Sequence, residues 1–174
     1  TDRLAIEIAE CRSMGIQVLG PDVNESFKDF AIVPHEKKIR FGLLAVKAVG
    51  SGAVDAVLEA RKTGGKFSSI LDFAKRVNAR QFNKKAWDSL IMTGAFDEFG
   101  TRSDLLFNLE RIQEYGSKSQ KEALSGQTDL FGFAGADDMR VESTVELLTA
   151  PKQHTDKERL TWERELLGLD RKST

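Results

Sequence analysis

The residues with the clearest chemical potential lie between Leu43 and Val54, where Gly50-Ser51-Gly52 separates two apolar runs. Val46, Val49, Val54, Val57 and Leu58 supply the apolar side needed to lock two short helices at a fixed angle. Gly50 and Gly52 are expected to provide the positive dihedral angle and close backbone approach that other residues resist. A helix opening at Ser51 to Ala53 presents unpaired backbone N–H groups and the positive end of its dipole, a seat for an anionic oxygen such as a phosphate. Ser51 can cap that helix or bond the same oxygen, and Lys47 adds a nearby positive charge. On geometry alone, the same residues also describe a helical corner whose glycines merely end one helix and open the next.

A second feature is Gln127-Thr128-Asp129-Leu130-Phe131, flanked by Gly126 and Gly132 in a Gly- and Ser-bearing tract. Two large apolar side chains in a polar connection have no local core to enter, so they invite an external pocket, with Gln127 offering amide donors and acceptors beside them. The alternative is that Leu130 and Phe131 fold back onto the helical part of the chain. Nucleotidyl transfer needs closely placed carboxylates to hold two divalent metals. The sequence has no Asp-x-Asp pair, and the adjacent Asp137-Asp138 reads as solubilising. His35 and His154 lie far apart, and Cys11 stands alone, so no zinc set, metal site or internal disulfide is expected, which fits the cytosol. No apolar run approaches the roughly 18 residues of a membrane span.

Charge is unevenly distributed across the 174 residues. Residues 36–102 carry 13 Lys and Arg against 7 Asp and Glu, a net of +6, while the remainder carries 13 against 20, a net of -7. A basic middle between acidic flanks suits a module that faces a polyanion, or a solvated charged face with no partner.

The elements that must position these residues are mostly helical. Leu4, Ile6, Ile8, Cys11 and Met14 give a helix stopping at Gly15; residues 16–19 then read as a strand running into Gly20-Pro21-Asp22. Residues 30–33 and 39–41 read as a small hairpin. From 43 to 99 the pattern is helical with Gly-containing turns, and Leu105, Leu106, Leu109 and Ile112 mark another helix over 103–115. Residues 116–156 read as a mobile connection. Leu160, Trp162, Leu166 and Leu167 predict an amphipathic helix whose packing partner is absent. The expected fold is therefore mainly α, with a small β-containing N-terminal segment (1–35), a helical domain (36–115), a flexible C-terminal tract (116–156) and a final helix (157–174).

Several runs carry a family resemblance. Ile39-Arg40-Phe41-Gly42-Leu43, Val46-Lys47-Ala48-Val49-Gly50-Ser51-Gly52-Ala53, Ile70-Leu71-Asp72-Phe73, Asn83-Lys84-Lys85 and Leu90-Ile91-Met92-Thr93-Gly94-Ala95-Phe96-Asp97 resemble the tandem helix-hairpin-helix region of the alpha subunit of bacterial replicative DNA polymerase III. Upstream, Glu10-Cys11-Arg12-Ser13-Met14-Gly15-Ile16 and Pro21-Asp22-Val23-Asn24 resemble the end of that family's fingers region. Downstream, the run from Glu158 to Gly168 resembles the helix leading into its OB-fold domain. The resemblance implies that the amides of Val49, Gly50 and Gly52 grip double-stranded DNA by its backbone without reading bases. Lys47, Arg61, Lys62, Lys84 and Lys85 would be phosphate neighbours, and Gly94 would mark a second, more structural hairpin. It also implies that the pentapeptide 127–131 attaches to the ring-shaped sliding clamp (the beta subunit). The remaining polymerase domains would be partners, with Mg2+ only in the parent enzyme's palm, upstream of Thr1. One departure is Ala48, where the family usually carries Gly. Two rivals stay open: a protein-binding adaptor, and a helix-hairpin-helix DNA glycosylase using Asp55.

Overall fold

The computed structural model describes residues 2–126 and 145–168. The pentapeptide 127–131 lies outside the described residues. Helix α1 (Asp2–Ser13) leads through Gly15 into β1 (Gln17–Leu19), followed by β2 (Ala31–Ile32) and β3 (Lys38–Arg40). The sheet order is β1-β3-β2, with β1 parallel and β2 antiparallel to β3. The hairpin expected over 30–41 is present, and its central strand also recruits β1.

A 3-10 turn (Leu43–Ala45) opens the helical part, which continues through α2 (Ser51–Gly64), α3 (Ile70–Arg76), α4 (Lys84–Met92), a second 3-10 turn (Asp97–Phe99), α5 (Arg102–Phe107), α6 (Leu109–Gly126) and α7 (Asp156–Leu166). Short polar side chains define several starts. Ser69, Asn83 and Thr101 accept from the third amide of α3, α4 and α5, and Thr155 with Glu158 forms a reciprocal capping box on α7. Among the described residues, no helix is long and apolar enough to cross a membrane.

One contiguous core runs from Ile8 and Val23 through the helices to Leu167. At its centre Phe73 is fully buried, with ring centroids 4.7 Å from Phe67, 5.3 Å from Phe82, 5.2 Å from Trp87 and 4.8 Å from Phe96. The N-terminal segment shares this core rather than standing apart. Asn24, buried, accepts from the Phe67 amide at 2.7 Å and donates to its carbonyl at 3.0 Å.

Two sequence expectations are corrected. Residues 116–126 do not belong to a connection; they continue α6. Gly116 is the place where α6 presses on α3, since a Cβ there would sit 2.6 Å from the Ala74 carbonyl oxygen. Four residues on, the Gln120 amide donates to the carbonyls of Ala74 and Val77, satisfying the end of α3. Small and polar residues here make a close helix contact, which composition alone mistakes for a linker. Nor does α7 lack a partner: it packs on α4, and Leu167 enters the core at 4 % exposure.

The strand of chain before α7 is pinned to α5 and α6. Asn108 and the backbone of Leu148 exchange hydrogen bonds of 2.7 and 2.9 Å, and Asp104 accepts from the Ala150 amide and the Gln153 side chain, both at 2.8 Å. Those donors, the Ala150 amide first, hold the Asp104 carboxyl below its ordinary value. A carboxylate depressed in the folded state stabilises above its unfolded pKa of about 3.9, and that contribution disappears as pH falls through the folded value. Acidification below about pH 4 should therefore loosen residues 148–155 first. Hydrogen exchange of the Leu148 and Ala150 amides reads this, and Asp104→Asn should flatten the pH dependence.

Candidate nucleic-acid interface

The turn between the first 3-10 segment and α2 is tight and mostly apolar on its inner side. Leu43, Val46, Val49, Ala53 and Val54 are buried, while Lys47, Ala48, Gly50, Ser51 and Gly52 are exposed. Val46 donates its amide to Leu43 and Val49 donates to Val46, closing successive short turns. Gly50 is extended, at φ -82 and ψ 164, and serves as N-cap of α2 without a side-chain bond. The amides of Gly50, Ser51, Gly52 and Ala53 find no acceptor among the described residues. Free amides in a first turn carry the positive end of the helix dipole outward. No acidic residue occupies that turn to neutralise it.

The left-handed residue is not a glycine. Ala48 holds φ 66, whereas Gly50 and Gly52 are not among the positive-φ residues. The expectation that Gly50 and Gly52 supply positive φ is thus replaced by another role. A Cβ built on either would meet nothing within 4 Å, so the fold leaves open space beside the free amides. Ala48 takes the strain because the chain must reverse between Lys47 and Val49. An alanine in this region costs roughly 1–2 kcal/mol, and glycine's greater unfolded-state freedom offsets part of the relief. Ala48→Gly should raise stability by about 0.5–1 kcal/mol in denaturant titrations.

The other expected contacts divide clearly. Val49 is excluded from the open set, because its amide donates to the Val46 carbonyl at 3.2 Å. Arg61 is committed inward: its Nη1 donates to the carbonyls of Val23 at 2.9 Å and Ser26 at 2.7 Å, and its guanidinium lies over the Phe27 ring. Burial lowers its pKa, with Glu25 and Asp22 opposing. Through Nη1 it staples the N-terminal segment to α2. Gly94, at φ 90, donates its amide to Ile91 at 3.2 Å, and a Cβ there would strike Arg102 and Asp97. That turn is filled by protein. Lys47, Lys62, Lys84 and Lys85 are exposed, with no hydrogen bond or ion pair to their side chains among the described residues. Lys84 and Lys85 occupy the first turn of α4, whose N-cap is Asn83. Sequence reasoning missed the free amide of Ala53, although a helix beginning at Ser51 implies it. Asp55 is exposed and pairs with Lys28 at 3.6 Å, an ordinary surface arrangement.

With this geometry in place, the model of the helix-hairpin-helix motif family matches residues 15–105. The chain belongs to the helix-hairpin-helix family. Over 97% of its length this helix-hairpin-helix chain is also similar to curated DNA polymerase III alpha subunits. It is 40% identical to that of Saccharopolyspora erythraea, 37% to that of Deinococcus radiodurans and 38% to that of Thermus aquaticus. The chain spans 14%, 12% and 13% of those proteins, respectively. The resemblance seen in separate runs therefore extends along nearly the whole helix-hairpin-helix chain, α1 and α7 included.

Proposed function

We propose that this chain grips the sugar-phosphate backbone of duplex DNA through the turn at 47–53, without reading bases and without catalysing a reaction. The observation that carries the reading is the set of unclaimed amides from Gly50 to Ala53, in a turn where a Cβ on Gly50 or Gly52 would meet nothing within 4 Å. An anionic oxygen suits those donors and the helix dipole, and the exposed ammonium group of Lys47 adds attraction, while Lys62, at the far end of α2, would meet a different phosphate. Main-chain donors carry no sequence information, so affinity should be nearly independent of DNA sequence.

On this reading the pentapeptide Gln127-Thr128-Asp129-Leu130-Phe131 docks onto a sliding clamp, with Leu130 and Phe131 as anchors. Such a tether keeps a weak duplex grip at high effective concentration. On the same reading, nucleotidyl transfer and its Mg2+ belong to the remainder of a longer polymerase, and the chain works in the cytoplasm.

Fluorescence anisotropy of a labelled duplex at two salt concentrations tests the DNA grip. The slope of log affinity against log salt should be about -0.9 for each phosphate contacted. Two unrelated duplex sequences should bind alike. An affinity indifferent to salt, or no binding at all, would favour a protein-binding adaptor instead. A separate capture on a purified clamp ring, repeated with Leu130→Ala and Phe131→Ala, tests docking; capture undiminished by both changes would remove the pentapeptide from the account.

A further inference from the structure

The first hairpin is held by something besides its own turn. The Lys47 amide donates to the carbonyl of Leu166, near the end of α7, at 2.9 Å. Leu167, the next residue, is buried in the same core as Val46 and Val49. One turn earlier, Glu163 accepts from Arg102 at 2.8 Å. That guanidinium also donates to the Met92 carbonyl at 3.0 Å and to both oxygens of Asp97, so it fills the second hairpin, and its side chain is only 10 % exposed. Helix α7 therefore touches the first hairpin through backbone and the second through a partly buried ion pair.

The first hairpin needs such support. Ala48 sits in a left-handed conformation next to Lys47, and a residue held there persists only when surrounding contacts over-determine it. Val46 and Val49 bond within the turn, and Lys47 is the residue beside Ala48 that is bonded to a separate element. We infer that α7 is a positioning element for the phosphate seat: it fixes the Lys47-Ala48 backbone, and with it the aim of the Gly50 to Ala53 amides, while bolting the two hairpins into one frame. The inference rests on the reading of that turn as a phosphate seat. Sequence gave no hint of it, because the bond joins main-chain atoms more than a hundred residues apart.

The test uses the whole chain carrying Leu167→Ala or Glu163→Ala, each with and without Ala48→Gly. Hydrogen exchange at the Lys47 amide and the amide resonances of Gly50, Ser51 and Gly52 are read without DNA, and duplex affinity is measured in parallel. Detaching α7 should speed Lys47 exchange, shift those three resonances and weaken duplex binding by roughly tenfold, as expected when preorganised groups are misplaced. Adding Ala48→Gly should restore part of the affinity, because glycine removes the strain that α7 holds in check. Amide protection in α2 and α4 reports the remaining fold; if Leu167→Ala unfolds it, Glu163→Ala decides. Free exchange throughout α7 with unchanged hairpin resonances and duplex affinity would overturn the inference. Absence of duplex binding by the unaltered chain would instead count against the phosphate reading, and the DNA-free resonances would still decide whether α7 positions the turn.

Discussion

Changing Gly52 to Glu is expected to lower duplex affinity roughly a hundredfold, about 2.7 kcal/mol, while leaving the fold intact or slightly firmer. A Cβ at Gly52 meets nothing within 4 Å outside its chain neighbours and its own helix, so the first atom of a new side chain enters open space in the free chain. A carboxylate in the first turn of α2, which has none, interacts favourably with the helix dipole by about 0.3–1 kcal/mol. Losing glycine also reduces unfolded-state freedom. In the proposed complex the same carboxylate would take the place of a phosphate oxygen and repel its neighbours, and hydrogen bonds to charged groups are worth roughly 1.5–3 kcal/mol. Stability and binding should thus move in opposite directions. Paired thermal melts and anisotropy titrations check this; an unchanged affinity would move the interface elsewhere.

The opposite pattern is expected for Phe73→Ala, where binding and fold should fail together. Truncating a fully buried aromatic costs about 3–5 kcal/mol, and the edge-to-face contacts with Phe67, Phe82, Trp87 and Phe96 place Phe73 toward the upper end of that range. Domains of this kind are typically stable by only about 5–15 kcal/mol, so a large part of the margin disappears. Denaturant unfolding followed by circular dichroism measures the loss. A cost under about 1.5 kcal/mol would mean that the ring cluster is not the centre of the core. Together the two variants separate residues that shape the seat from residues that merely support it.

The pattern of readable and unreadable features follows the range of the forces involved. Helix α1, the helical stretch 43–99 and the hairpin of β2 and β3 were anticipated because apolar spacing and Gly-containing turns act within a few residues, whereas the single helix expected over 103–115 is divided at Asn108 between α5 and α6. The open turn at 50–52 was found for the same reason. Long-range polar contacts left no such mark. Arg61 looked like a surface cation until the carbonyls of Val23 and Ser26 were seen to claim it. Gly116 and Gln120 looked like linker residues because only α3, forty residues away, gives them a helical role. Ala48 is a more instructive error: the assumption that positive φ belongs to glycine placed the reversal two residues late.

Amide resonances of Gly50, Ser51, Gly52 and Ala53, followed during titration of the whole chain with a short duplex, test the central claim most directly. Those amides should shift first and furthest, gain protection from exchange, and return toward their free positions as salt is raised. Saturable duplex binding that leaves all of them unmoved would contradict the account.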